Sequence, residues 1–171
     1  MDAVIETPRL SLRHFVAADL DPLSELMANA DFMRFASGVF TREQTASFLF
    51  DRVIAPAQAG LPSLFAVILR EENRLIGYCG FFRQIVDQEN EIEIGYRLSP
   101  DYWNRGLATE AAQAVRGYAF EVLKLERVIS LIHPENHASR RVTEKNGMTL
   151  EKTTLFRGCP AQVFSCARGA S

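Results

Sequence analysis

The sequence is poor in cysteine and carries no strong charge of either sign. Its 171 residues include only three cysteines, Cys79, Cys159 and Cys166, which show no paired C-x-x-C spacing. An odd, scattered set of thiols argues against a disulfide framework and against a zinc site. The formal net charge of -2 excludes the strongly basic surface of a general nucleic-acid binder. We therefore expect a reduced protein that binds neither a metal nor nucleic acid.

Long apolar runs are missing as well. No stretch approaches the roughly 20 residues that span a membrane, and the first residues lack the charged start and apolar middle of a signal peptide. The chain also shows no internal repeat, low-complexity segment or long linker. The sequence therefore predicts a single domain over residues 1–171, in the cytoplasm and without a membrane partner. A monomer and a homodimer are both compatible with it.

Strand-like and helix-like patterns alternate along the chain. Apolar alternation predicts strands at 9–15, 64–71, 74–86, 91–98, 127–133, 148–156 and 162–168. Helical spacing predicts helices at 19–27, 41–54, 108–123 and 138–146. Gly77 and Gly80 predict a bulge or a close backbone approach in the third strand. The predicted fold class is mixed α/β with an antiparallel start.

The alternation is cleanest in the strand at 91–98. Its apolar side chains share one face: Ile92, Ile94, Tyr96 and Leu98. Glu91 and Glu93 fall on the opposite face, so two carboxylates lie side by side on one surface of the sheet.

A short polar turn containing Gly106 joins this strand to the next helix. Gly106 and the small Ala108 let the backbone approach a ligand, and the helix N-terminus supplies unpaired N–H groups and a positive dipole end. This arrangement suits a phosphate, although an ordinary surface turn explains the glycine better from these residues alone. The phosphate-loop strings G-x-x-x-x-G-K-[ST] and G-x-G-x-x-G are absent, which makes a nucleotide-binding domain a distant alternative.

Longer motifs resemble those of a known family. EIGYRLSPDYWNRGLATEA (93–111), HPENHASRRVTEKNGM (133–148) and ETPRLSLR (6–13) are similar to segments of the GNAT N-acetyltransferases, in their RimJ/RimL-like branch. The resemblance covers nearly the whole chain. It implies a mixed central sheet flanked by helices, whose fourth and fifth strands splay apart around acetyl-CoA. It also implies acetyl transfer to a primary amine, on a small molecule or a protein N-terminus.

The resemblance assigns cosubstrate-binding residues to two of these segments, 93–111 and 133–148, which we call the first and second motifs. The backbones of Tyr96 and Leu98 would hydrogen-bond the pantetheine arm. The pyrophosphate would lie in the turn formed by Trp103, Asn104, Arg105, Gly106, Leu107 and Ala108, with Thr109 just inside the helix. Asn136 and Ser139 would reach the pantetheine and its sulfur, although both are also good helix caps. Asn104 replaces the small residue usual after the tryptophan and constrains the turn more than glycine would.

Catalysis of acetyl transfer needs a base more than an acid, because amines are largely protonated at neutral pH whereas a thiolate leaves readily. The resemblance makes Glu93 the base, with Glu91 as the alternative if the register shifts at a bulge. Either carboxylate could instead be a surface residue that holds an arginine. Thr143 stands where many relatives have a tyrosine that protonates the thiolate, and Ser139 could donate a hydrogen bond there instead. The alternative to an enzyme is a catalytically weak module that binds CoA or an acyl-CoA as a sensor or adaptor.

Overall fold

One mixed sheet of eight strands runs through residues 2–170, the part of the chain described by this computed structural model. The strands lie in the order β1-β2-β3-β4-β5-β6-β8-β7. Their bounds are β1 Ile5–Glu6, β2 Leu10–His14, β3 Leu64–Leu69, β4 Arg74–Val86, β5 Glu89–Leu98, β6 Arg127–Ile132, β7 Thr149–Phe156 and β8 Cys159–Ala167. The helices that flank the sheet are α1 Leu20–Met27, α2 Arg42–Ser47, α3 Ala55–Gln58, α4 Leu107–Glu121 and α5 His137–Lys145. The predicted fold class is confirmed.

Two apolar cores lie on opposite faces of the sheet. Strand β3 contributes to both, because alternate side chains of a strand point to opposite faces and every residue of β3 is buried. Leu64 and Ile68 pack under α1 and the segment between α2 and α3. Phe65 and Val67 pack under α4. The two cores therefore fix α1 and α4 on opposite sides of the same strands.

Strands β5 and β6 separate shortly after they meet. They run parallel and pair at a single position, Glu93 with Ile129. On its other side β5 pairs with β4 along its whole length, and β6 pairs along its whole length with β8. Each strand is thus held by its own antiparallel neighbour while their carboxyl ends diverge. The predicted splay is confirmed, and we call this opening between β5 and β6, beyond Glu93 and Ile129, the gap.

The second predicted helix has a different form in the structure. It begins at Arg42 with the capping box predicted between Thr41 and Gln44. It then widens into π-helical turns at Phe48–Ile54 and continues through α3 instead of ending at 54. Pro56 explains the widening, because it has no N–H to donate and its ring crowds the carbonyl four residues earlier. The other helices match their predicted bounds to within a few residues. The sequence did not predict β1, which is only two residues long.

A β-bulge in β4 confirms the prediction made from its glycines. Val67 pairs with Gly77 and Ile68 pairs with Leu75, which leaves one extra residue on β4 between them. Gly77 has a φ of 155°, and a Cβ at this position would lie 2.0 Å from the carbonyl oxygen of Arg97 on β5. The bulge therefore requires glycine.

Two glycine-to-alanine variants should change stability in opposite directions. Gly77→Ala must push β5 away and should lower the free energy of unfolding by more than about 2 kcal/mol. Gly117→Ala lies inside α4, where a Cβ would meet no atom within 4 Å. This variant should gain up to about 1 kcal/mol from helix propensity, which raises the melting temperature by about 2 to 4 °C. Thermal unfolding measures both, and equal melting temperatures for the two variants would contradict the description of the bulge.

Candidate active site

The turn between β5 and α4 contains two residues in the left-handed conformation. Gly106 is the N-cap of α4 with φ 75°, and Asn104 has φ 58°. Asparagine is among the few non-glycine residues that enter this region readily. The structure therefore accommodates Asn104, the residue that departs from the resembled motif.

The N-terminus of α4 leaves backbone N–H groups without partners in the helix. The first of its N–H groups to find a backbone acceptor belongs to Glu110, which donates to the carbonyl oxygen of Gly106 at 3.0 Å. The N–H groups of Leu107, Ala108 and Thr109 precede it and have no intrahelical acceptor. Gly106 has no side chain that could cap them. Unpaired donors at the positive end of a helix form a site suited to an anion.

The negative charge of Glu110, in the first turn of α4, is balanced by Arg9, which directly precedes β2. Arg9 donates from Nε to Oε2 of Glu110 at 2.7 Å and from Nη1 to the carbonyl oxygen of Arg105 at 2.8 Å. Thr7 donates to Oε1 of Glu110 at 2.6 Å. Partial burial opposes ionisation, but the hydrogen bonds from Thr7 and Arg9 outweigh it and lower the pKa of Glu110. The ion pair therefore anchors the turn to β2 without leaving a net negative charge beside the unpaired N–H groups.

Two side chains from the first motif make hydrogen bonds around the gap. The indole N–H of Trp103 donates to the carbonyl oxygen of Leu98 at 2.8 Å, so the protein itself occupies one of the acceptors expected for the pantetheine arm. The hydroxyl of Tyr96 donates to the carbonyl oxygen of Ser139 on α5 at 3.1 Å. Tyr96 therefore joins β5 to α5 across the gap.

The start of α5 is capped from within the second motif. The side-chain oxygen of Asn136 accepts a hydrogen bond from the backbone N–H of Ser139 at 3.1 Å. Asn136 is therefore a helix cap, the structural role that its residue type allows. The cap also fixes Ser139 in the first turn of α5, beside the hydroxyl of Tyr96.

Glu93 and Glu91 share a face of β5 as predicted but have different environments. Burial raises the pKa of Glu93 to about 7, against hydrogen bonds from the Gln84 amide and the Leu131 N–H. Part of the residue stays accessible, yet protein atoms enclose its carboxyl group closely enough to disfavour the charge. Glu91 instead forms an ion pair with Arg127 at 2.9 Å. With this pKa, Glu93 can exchange a proton near neutral pH.

The end of the β4–β5 hairpin forms a wall beside Glu93. Val86 packs on Ile129 and Val163, and Asp87 pairs with Lys152 at 2.8 Å, so this end lies across β6, β8 and β7. Gln84 links the wall to Glu93 through a hydrogen bond of 2.8 Å. A cavity of about 330 Å³ is lined by residues 83–85 and Asp87 of the hairpin and by residues 155–157 of β7 and the turn after it.

The segment between α1 and α2 forms the opposite wall. Arg97 donates from Nη1 to the carbonyl oxygen of Phe32 at 3.1 Å. The ring of Phe35 stacks on His133, which follows β6, with 5.3 Å between ring centroids. Both contacts bring this segment against the ends of the strands that diverge. The hairpin end and this segment therefore contact β5 on either side of Glu93, through Gln84 and Arg97.

Comparison with known proteins identifies the family. The family described as "Acetyltransferase (GNAT) domain" matches residues 9–149. The chain belongs to the GNAT acetyltransferases. It is 37% identical over 156 residues to "Uncharacterized N-acetyltransferase YnaD" of Bacillus subtilis (strain 168), across 91% of this chain and 86% of that protein. A GNAT-family acetyltransferase from Bacillus anthracis has a TM-score of 0.80 and 33% identity over 95% of this chain and 97% of that one.

A ribosomal-protein acetyltransferase has a similar fold. RimL, the ribosomal L7/L12 alpha-N-protein acetyltransferase, was solved in complex with coenzyme A. It has a TM-score of 0.80 at 19% identity, over 96% of this chain and 97% of that one. This likeness shows a shared fold. The family resemblance predicted from the motifs is confirmed.

In this GNAT domain both motifs lie on the gap. The turn at 103–109 and the start of α5 follow the strands that diverge, and Tyr96 touches Ser139. Thr7, Arg9 and Gln84 were not among the predicted site residues. The only signal for the first two was the ETPRLSLR string, which by itself indicates a strand. Within residues 2–170 no His, Cys, Asp or Glu side chains cluster as metal ligands do, and no helix there is long and apolar enough to cross a membrane.

Glu93→Gln should stabilise the GNAT domain at high pH. A carboxyl group whose pKa rises from 4.5 to about 7 on folding favours the native state less and less as pH increases between those values. The difference in the free energy of unfolding, variant minus wild type, should therefore be about 1 to 3 kcal/mol more positive at pH 8 than at pH 4.5. Thermal unfolding at the two pH values measures it. An unchanged difference would mean that Glu93 titrates as an ordinary surface carboxylate.

Proposed function

We propose that this enzyme transfers the acetyl group of acetyl-CoA directly to a primary amine in a ternary complex, with Glu93 as general base. One observation carries the proposal: Glu93, with a pKa of about 7, lies at the last position where β5 and β6 pair. The gap beyond it opens between two motifs that resemble cosubstrate-binding segments. A base placed there lies at the edge of the space proposed for the thioester.

The residues around the gap suit acetyl-CoA. The N–H groups of Leu107, Ala108 and Thr109 would receive the pyrophosphate, with Gly106 allowing close approach. RimL, which shares the fold, was solved with coenzyme A. The backbone of Tyr96 would meet the pantetheine arm, and Asn136 and Ser139 would lie near its sulfur end. When bound, acetyl-CoA supplies the acetyl group as an activated thioester.

Glu93 would take the proton that the acceptor must lose before its nitrogen can attack. An α-amino group has a pKa of about 7.7 to 8.0, so proton transfer to a carboxylate with a pKa of about 7 costs about 1 kcal/mol. A lysine-like amine, with a pKa of about 10.4, would cost about 4 to 5 kcal/mol. The match favours an acceptor whose amine has a low pKa, such as the α-amino group of a protein N-terminus or of a small molecule.

A covalent acetyl-enzyme is disfavoured by the environment of the nearby thiol. Cys79 is fully buried on β4, and burial raises the pKa of its thiol. The thiolate is the nucleophilic form of cysteine, so a buried thiol with a raised pKa is a poor nucleophile. Direct attack by the amine is therefore the simpler route.

Matched glutamine variants test the proposal. Glu93→Gln should lower kcat by about 10²- to 10⁴-fold, the range typical of a lost general base, and leave the Kd of acetyl-CoA within about 2-fold. Glu91→Gln loses the ion pair with Arg127 and should lower the melting temperature slightly while kcat stays within about 2-fold. CoA release from a panel of α-amino and aliphatic amines gives kcat, and calorimetry gives Kd.

Each alternative has its own outcome. Loss of kcat in Glu91→Gln, with Glu93→Gln active, would make Glu91 the base. Tight acetyl-CoA binding by the wild type without CoA release from any amine would support the sensor or adaptor function in place of the enzyme.

A further inference from the structure

Tyr96 places a hydroxyl group inside the gap. The residue lies on β5 three positions beyond the last pair with β6, and its ring packs against the core under α4. Its hydroxyl oxygen lies 3.1 Å from the carbonyl oxygen of Ser139. Ser139 is one of the two residues proposed to lie near the sulfur of the cosubstrate. The Tyr96 hydroxyl is therefore a hydrogen-bond donor at the place where a leaving thiolate would form.

Helix α5 itself supplies only a short side chain at this place. Thr143 lies one turn after Ser139, and residues four apart share a helix face. It is 1% exposed, and its hydroxyl has no hydrogen-bond partner within residues 2–170. Even so, the Thr143 hydroxyl is close enough to Tyr96 to be among the groups that lower the pKa of its phenol. A threonine cannot extend as far from α5 as a tyrosine could, whereas Tyr96 reaches the same place from β5.

We propose that the Tyr96 hydroxyl donates a hydrogen bond to the sulfur of the departing thiolate. The proposal rests on the proposed function and places the donor on β5 instead of α5. The single proton of Tyr96 would leave the Ser139 carbonyl and point to sulfur. The buried hydroxyl of Thr143 could then donate to the Tyr96 oxygen and orient it.

The chemistry calls for a hydrogen bond and not for complete proton transfer. Burial raises the pKa of Tyr96 to about 12, so its oxygen stays protonated over the working pH range. A free thiol has a pKa of about 8.5, so a thiolate is too weak a base to remove that proton. As the amine nitrogen bonds to the acetyl carbon, the electron pair of the C–S bond moves to sulfur. The nitrogen loses its second proton to solvent water as the amide forms, the thiolate takes a proton from solvent, and the proton held by Glu93 returns to solvent, so one proton is released overall.

Binding of CoA and of desulfo-CoA, which lacks the sulfur, isolates this hydrogen bond. In Tyr96→Phe, the Kd of CoA should rise roughly 10- to 100-fold at pH 9, where much of the thiol is ionised, because a bond to a charged acceptor is lost. The Kd of desulfo-CoA should change by less than about 2-fold. Calorimetry measures both, and kcat for acetyl transfer should fall by a similar factor. Tyr118→Phe on α4, whose ring packs on Phe65 and Phe81, is the matched control and should change none of these values.

The outcomes separate this proposal from the proposed function. Equal weakening of CoA and desulfo-CoA by Tyr96→Phe would mean that the hydroxyl only supports α5 through Ser139, and would overturn the proposal. Unchanged CoA binding and kcat in a folded Tyr96→Phe variant would overturn it as well, while leaving Glu93 and acetyl transfer intact. Failure of the wild type to bind CoA at all would overturn both.

Discussion

The single pairing of β5 with β6 is the constraint on which the candidate site depends. At Glu93 and Ile129 the sheet is continuous, and beyond them each strand follows only its antiparallel neighbour. Because the two strands diverge, β5 has a free backbone edge beyond Glu93. The chain continues from β5 into α4 and from β6 into α5, and both helices start beside the gap. The free N–H groups at the start of α4, the capped start of α5 and the proposed base thus derive their positions from one interruption in the sheet.

The environment of Glu93 affects both its proposed role as a base and the stability of the folded protein. Enclosure by protein atoms disfavours its charge, whereas the Gln84 amide, the Leu131 N–H and two arginines favour it, and the balance leaves its pKa near 7. Glu91, on the same face of β5, is instead held in an ion pair with Arg127. The fold therefore places one destabilised carboxylate beside the gap and keeps its neighbour in an ion pair.

Local patterns predicted the parts of the site that depend on local rules. Alternation in 91–98 put both glutamates on one face, and Gly106 indicated the turn at the start of α4 because only a flexible residue suits that position. The family motifs predicted the splay. The Arg9–Glu110 pair and the contact of Tyr96 with Ser139 were not predictable, because each joins segments more than 40 residues apart. The raised pKa of Glu93 comes from its burial in the folded protein, and the ion pair of Glu91 joins β5 to Arg127 on β6, neither of which alternation can report.

Hydrogen exchange with and without acetyl-CoA tests most directly whether the gap and the turn at Gly106 form the cosubstrate site. Mass spectrometry resolves the backbone amides of peptides spanning residues 94–98, 103–109 and 136–139. We predict that saturating acetyl-CoA slows exchange in these three segments, most strongly at 106–109, and that ATP does not reproduce the pattern across all three. Stabilisation by acetyl-CoA with protection confined to other segments, or no protection at saturation, would contradict the account.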